Sequence, residues 1–359
     1  MSGPTTAIFT TEPITALLSA AAIRAAQAIY EGYAEASDLK EDQTAQRKAT
    51  QASLKIATAT GHAALQQAAE IANAEFEKIA GLVSRYVTDD KVSTTRPQLP
   101  KDHNELQLAA YVRGMQVLIG ELRSILLSES ALRMDNLDPE TVLHPDIPHT
   151  VIAVEESAVQ RLLARIAHLG EPPQDIFDLA KTISDTPYPD SERALLLTTE
   201  LRIRIQQFVE AKHKQSVQDA TACILQQSLL DLGYQVEDIS STLFVEGGVV
   251  HFRRQGWDNY MVRMRVDPKA GTTNFNVIRS VETHANETSV LDHLAEDRWC
   301  AEFPALLKAL DIRGVHLNVT RRLEAGELPV QLVQKNKLPE FSDADTTNHN
   351  KILKSREIK

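Results

Sequence analysis

Apolar residues recur at steps of three and four from Pro13 to Leu232, and beyond that the dominant pattern becomes alternation. Ile14, Leu17, Leu18, Ala21, Ala25, Ala28 and Ile29 predict a first helix starting at Pro13. A polar interval at 35–47 reads as a charged continuation of that helix or as a loop. A second helix is expected over about 49–86, with Leu54, Leu65, Ile71, Phe76, Ile79 and Val83 on its buried stripe. Gly61 costs that helix about 1 kcal/mol relative to alanine, so a kink or a break fits there. A third helix is predicted over 104–127, from Leu106 through Val112, Met115 and Ile119 to Leu126. Two shorter ones follow, at 155–169 and 173–183, set apart by proline-punctuated passages. From Ser191 one helix runs to about Leu232 and stops at Gly233, a residue suited to the left-handed position after a helix. Its first half carries Leu197, Leu201, Ile205 and Phe208 at the spacing of a coiled-coil seam. Its second half, with Val217, Ala220, Ile224, Leu225 and Leu229, is expected to cover a sheet, and its polar centre to bridge two domains in water.

Between Thr242 and Arg279 the helical period is gone. The segments TLFVE, VVHFRR, YMVRMRVD and NFNVIR have strand length, and Gly247-Gly248, QGWDN and PKAGTT interrupt them with residues that accept chain reversal. An antiparallel meander is the natural reading, with Gly247-Gly248 as a hairpin turn. Tyr260, Val262, Met264 and Val266 should be buried, and Met261, Arg263, Arg265 and Asp267 should line the wet face. A helix over 290–310 follows, in which Pro304 either opens a second short helix or kinks the first. Residues 315–320 form a further strand candidate and 330–333 a last apolar run. The fold class is therefore α+β: an N-terminal all-helical bundle or coiled-coil arm, then a C-terminal antiparallel β-meander domain packed with helices. The expected divisions are a flexible segment 1–12, the arm at 13–212, the α+β domain at 213–335 and a polar, disordered tail at 336–359.

Composition sharpens this picture in three ways. Aromatic residues make up 5% of the chain and alanine fills its first third, which favours helices packed at close range over a large aromatic core. A net charge of −11 argues against wholesale binding to nucleic acid or anionic membranes, although a local basic patch can persist within it. Cys223 and Cys300 are too far apart to form a disulfide framework, so a reducing compartment fits. No apolar run approaches the roughly 20 residues that span a bilayer, and the first helix lacks the flanks of a signal peptide. The expectation is a cytoplasmic protein with no membrane contact.

The candidate chemistry lies on the outward face of the meander. If Val250 and Phe252 point inward with Val262 and Met264, then His251, Arg253, Arg263 and Arg265 point the other way, joined by Asn274 and Asn276. Like charges facing each other on neighbouring strands cost about 0.2–1 kcal/mol per pair, so something acidic should meet them. That could be this chain's own glutamates, salt solution, or a protein partner with an acidic surface. Nucleic acid is disfavoured because aromatic residues for base stacking are missing from that face. Trp257, in the turn QGWDNY, either anchors an interface or folds back to close the end of the core.

His144, His149, His284, His293 and Cys300 lack the spacing of a structural zinc site, so neither metal nor cofactor is expected. Gly247-Gly248 precedes a strand and cannot cradle phosphate as a glycine loop before a helix does. No nucleophile elbow, metalloprotease helix or kinase signature occurs, and no catalytic residue is assigned. The reading is a non-enzymatic protein-binding or scaffolding subunit of a larger assembly. The helical arm would serve association, including homo-oligomerisation, and the sheet domain docking. The alternatives are an accessory nucleic-acid-binding protein using Arg253, Arg263 and Arg265, and an enzyme whose site assembles only in three dimensions.

Overall fold

The computed structural model describes residues 5–46, 51–86, 96–99, 104–133, 142–143, 157–186, 191–239, 242–244, 248–267, 270–282 and 289–341. Two compact units emerge: Ala21–Ser216, and Met1–Ala20 together with Val217–Lys359. Both belong to an α+β chain, the first helical and the second built on a sheet.

The helical unit holds α2 (Gln51–Val83), α3 (Glu105–Leu132), α4 (Ala158–Ile166) and α5 (Gln174–Ser184). It also takes most of α1 (Pro13–Gln46) and the first part of α6 (Glu192–Asp231). The interval at 35–47 thus continues the first helix to Gln46, and Gly61 does not break α2. Asn104 and Ser157 start α3 and α4 with reciprocal capping boxes, to Gln107 and Gln160, which satisfy otherwise orphaned amides. Close approach between α1 and α3 depends on glycine. A Cβ on Gly114 would lie 2.1 Å from Ile29 Cγ1 and 3.0 Å from the Ala25 carbonyl, and one on Gly32 would lie 2.6 Å from Ala110 Cβ. A second core gathers Val159, Ile166, Ile176 and Ala180 around Leu201, Ile205 and Val209 of α6. Leu201 and Ile205, expected in a coiled-coil seam, are thereby spent inside the unit.

The sheet unit contains β1 (Thr5–Thr11), β2 (Tyr234–Val236), β3 (Val249–Arg254), β4 (Tyr260–Asp267), β5 (Thr272–Val281), β6 (Val315–Arg322) and β7 (Gln331–Gln334). The strand order is β2-β3-β4-β5-β1-β6, all antiparallel, with β7 pairing parallel to the far end of β5. The expected flexible segment 1–12 therefore does not hold for Thr5–Thr11, which lie between β5 and β6. Thr5 and Ala7 are buried there, because alternation through TTAIFTT turns one row of small side chains to the core. The predicted strand TLFVE is corrected at residues 242–244, Val245 and Glu246 lying outside the described residues. The amides of Thr242 and Leu243 both bond to the Ile239 carbonyl in a turn, and β3 pairs with β2 instead. Gly248 serves close approach and not a hairpin, since a Cβ there would meet the Thr242 carbonyl at 2.1 Å. Gly247 lies outside the described residues.

Helix α7 (Val290–Asp311) runs unbroken through Pro304 and packs on β5 and β6. Proline offers no amide to the carbonyl four residues earlier. That carbonyl, of Cys300, instead accepts from Arg322 Nη2 of β6 at 3.3 Å. The core between α7 and the sheet is aromatic. Trp299 lies 5.5 Å from Phe252, 5.9 Å from Phe275 and 5.3 Å from Phe303, ring centre to ring centre. A buried carboxylate ties the helix start to the sheet: Asp292 accepts from Tyr260 Oη at 2.7 Å and from Arg279 Nη1 at 2.8 Å. Burial, followed by the bond to Asp292, raises the Tyr260 pKa.

Candidate docking face

Register brings six of the seven sequence-assigned residues onto one side of the sheet. His251 stands opposite Arg263, Arg263 opposite Asn276, and Arg265 opposite Asn274, while Arg253 stands opposite Gln235 on β2. Their neighbours Val250, Phe252, Val262 and Met264 face the core, as strand alternation requires. Trp257 is the exception. It is only 4% exposed, folds back against Tyr234 with ring centres 6.2 Å apart, and is capped by the Arg298 guanidinium at 5.8 Å. The turn permits this because Gly256 and Asp258 both take positive φ, 79° and 46°, which curls the chain inward.

Each basic group has a different neighbour. The Glu237 carboxylate accepts from the His251 backbone amide and lies 3.0 Å from its Nδ1, so the chain's own acid meets the histidine. Arg253 donates from Nε to Gln235 Oε1 at 3.1 Å and from Nη2 to the Phe341 carbonyl at 2.8 Å, and the Phe341 ring centre lies 5.4 Å from its guanidinium. Arg263 donates to the Gln331 side-chain oxygen. Neither Arg263 nor the exposed Arg265 forms an ion pair with a carboxylate among the described residues. Burial first, and then the charge of Arg265, lowers the Arg263 pKa. Asn274 Oδ1 accepts from Thr6 Oγ1 at 2.7 Å, whereas Asn276 Oδ1 is buried with no hydrogen-bond donor.

One residue of the expected wet row departs from it. Met261 is buried, as is Ile278 opposite it on β5, although alternation sets both on the arginine side. The chain's own residues 331–341 reach this end of the face, where β7 pairs with β5, Gln331 meets Arg263 and Phe341 meets Arg253. Glu237, Gln331 and Phe341 escaped sequence reading because they lie outside the meander. The one signal available was the run 330–333, whose pairing with β5 no local pattern specifies.

Of the histidines weighed as metal ligands, His144, His149 and His284 lie outside the described residues. His293 faces Asp297 one turn away at 3.3 Å. No cluster of three or more metal-ligating side chains occurs among the described residues. Nor, among them, is any helix long and apolar enough to cross a membrane. Comparison with protein-family models, with curated proteins and with solved structures finds no match in any of the three.

Proposed function

We propose that the protein is a non-enzymatic docking or scaffolding subunit and that the arginine-bearing side of its sheet receives an acidic protein surface. The observation that carries this reading is the pair Arg263 and Arg265, two like charges on one strand without a carboxylate among the described residues, in a chain of net charge −11. Such a pair is retained at a cost that an acidic partner would repay in steering and specificity.

Arg263→Glu/Arg265→Glu in the full chain tests the reading. The expected result is loss of a fluorescein-labelled oligoglutamate peptide in an anisotropy titration, together with loss of any partner that co-purifies with the wild type. Unchanged binding would overturn it. A parallel titration with duplex DNA separates the nucleic-acid reading, whose affinity would fall steeply with salt.

Association through the helical unit belongs to the same proposal. It is supported by Leu195, Leu196 and Ile203 on α6, which are 60%, 66% and 49% exposed. Light scattering on Leu196→Lys/Ile203→Lys should then show a smaller species than the wild type.

A further inference from the structure

The most informative group on the arginine face is Phe341. Its carbonyl accepts from Arg253 and its ring covers the same guanidinium, so one residue engages that side chain by two mechanisms. Ten residues earlier, Gln331 engages Arg263. Leu338 and Pro339 between them are half-buried, next to a face whose Met261 and Ile278 are shielded from water. Within the described residues this stretch offers Arg263 an amide oxygen and Arg253 a carbonyl and a ring, and Arg263 keeps its charge without a carboxylate there. In sequence Phe341 is preceded by Pro339-Glu340 and followed by Ser342-Asp343-Ala344-Asp345. An aromatic residue with carboxylates on both sides is the chemistry that a face of arginines with an adjoining apolar strip would select.

We infer that the partner presents an extended segment that sets an aromatic ring on Arg253 and carboxylates toward Arg263 and Arg265, and that the chain's own C-terminal stretch occupies this position in cis. The inference rests on the docking reading above and specifies the partner's chemistry. The internal segment then acts as a tethered competitor. A partner must displace it, and its apparent affinity is reduced by the fraction of time the face is covered.

The test uses the full chain and a fluorescein-labelled peptide of sequence PEFSDAD, which copies residues 339–345. Phe341→Ala loosens the internal competitor and should tighten peptide binding about tenfold over wild type, the change expected if the face is covered about nine-tenths of the time. Adding Arg253→Ala should remove that gain, and so should replacing the peptide's own phenylalanine by alanine. Hydrogen exchange gives a readout independent of added ligand, since amides of the 331–341 stretch should exchange faster in the Arg253→Ala chain than in wild type. Equal peptide affinity for wild type and Phe341→Ala, with unchanged exchange over 331–341, would overturn the inference. If oligoglutamate binding is lost in Arg263→Glu/Arg265→Glu but does not respond to Phe341→Ala, the docking face stands and the tethered competitor falls. If neither peptide binds either chain, both fall together.

Discussion

The two units set their tightest contacts in different ways. Where α1 meets α3 in the helical unit, the closest approach is made by residues with almost nothing to pack, Gly32 and Gly114 against Ala110 and Ile29. Where α7 meets the sheet, the space is taken by large aromatic side chains, Trp299, Phe252, Phe275 and Phe303. An interface set by backbone proximity fails when an atom is added, and one set by side-chain volume fails when atoms are removed. The low aromatic content of the chain is therefore not spread evenly. Much of it is concentrated behind the candidate docking face, between α7 and the sheet.

The largest effect should come from Trp299→Ala. Emptying a fully buried indole site costs about 3–5 kcal/mol, and a urea titration of the variant should show a much lower midpoint with loss of near-ultraviolet signal. Gly114→Ala comes next. Helix propensity favours the alanine by up to about 1 kcal/mol, but its methyl would meet Ile29 and the Ala25 carbonyl, and overpacking of this kind costs about 1–3 kcal/mol. A net loss of up to about 2 kcal/mol is expected, again from the urea midpoint. Gly120→Ala on the same helix has nothing within 4 Å of the new methyl, so the same substitution should stabilise by about 0.5–1 kcal/mol. If the two alanines move the midpoint in the same direction, close packing of α1 on α3 is wrong.

The smallest effect is a pH dependence in the sheet unit. His316, at the start of β6, sits 2.6 Å from Asp311 and 3.2 Å from Glu12. Burial lowers its pKa, but the bonds to both carboxylates and their charges outweigh that, leaving it above the ordinary 6.5. A histidine whose pKa is raised by folding lends stability that is full below the unfolded pKa and disappears as pH rises through the folded one. Thermal midpoints of wild type and His316→Gln should differ more at pH 6 than at pH 8. A gap independent of pH would show that the imidazole contributes through packing alone.

The same contrast separates what local sequence specifies from what it leaves open. Helical stripes are local, so α2, α3 and α6 follow from residues three and four apart, and the meander's charged side follows from alternation through β4. Pairing between distant segments has no such signature. Thr5–Thr11 carries few large apolar residues, and its strand character appears only once β5 and β6 lie on either side. Trp257 shows the limit from another direction. The sequence places it in a turn, but whether a turn residue faces water depends on the φ values beside it and on Arg298, a helix away. Phe341, which touches Arg253, comes from the far end of the chain, where polar composition alone suggests only solvent.

The insertion of β1 between β5 and β6 has a consequence for how the protein is made. As the chain leaves the ribosome, β1 appears before either strand that will flank it, and the whole helical unit is synthesised in between. The β2–β5 meander pairs without it, but β6 has a strand to join only where β1 already lies beside β5. Nascent chains arrested before β6 should therefore lack that edge of the sheet even though the helices are complete, and the earliest strand serves as the template for the latest.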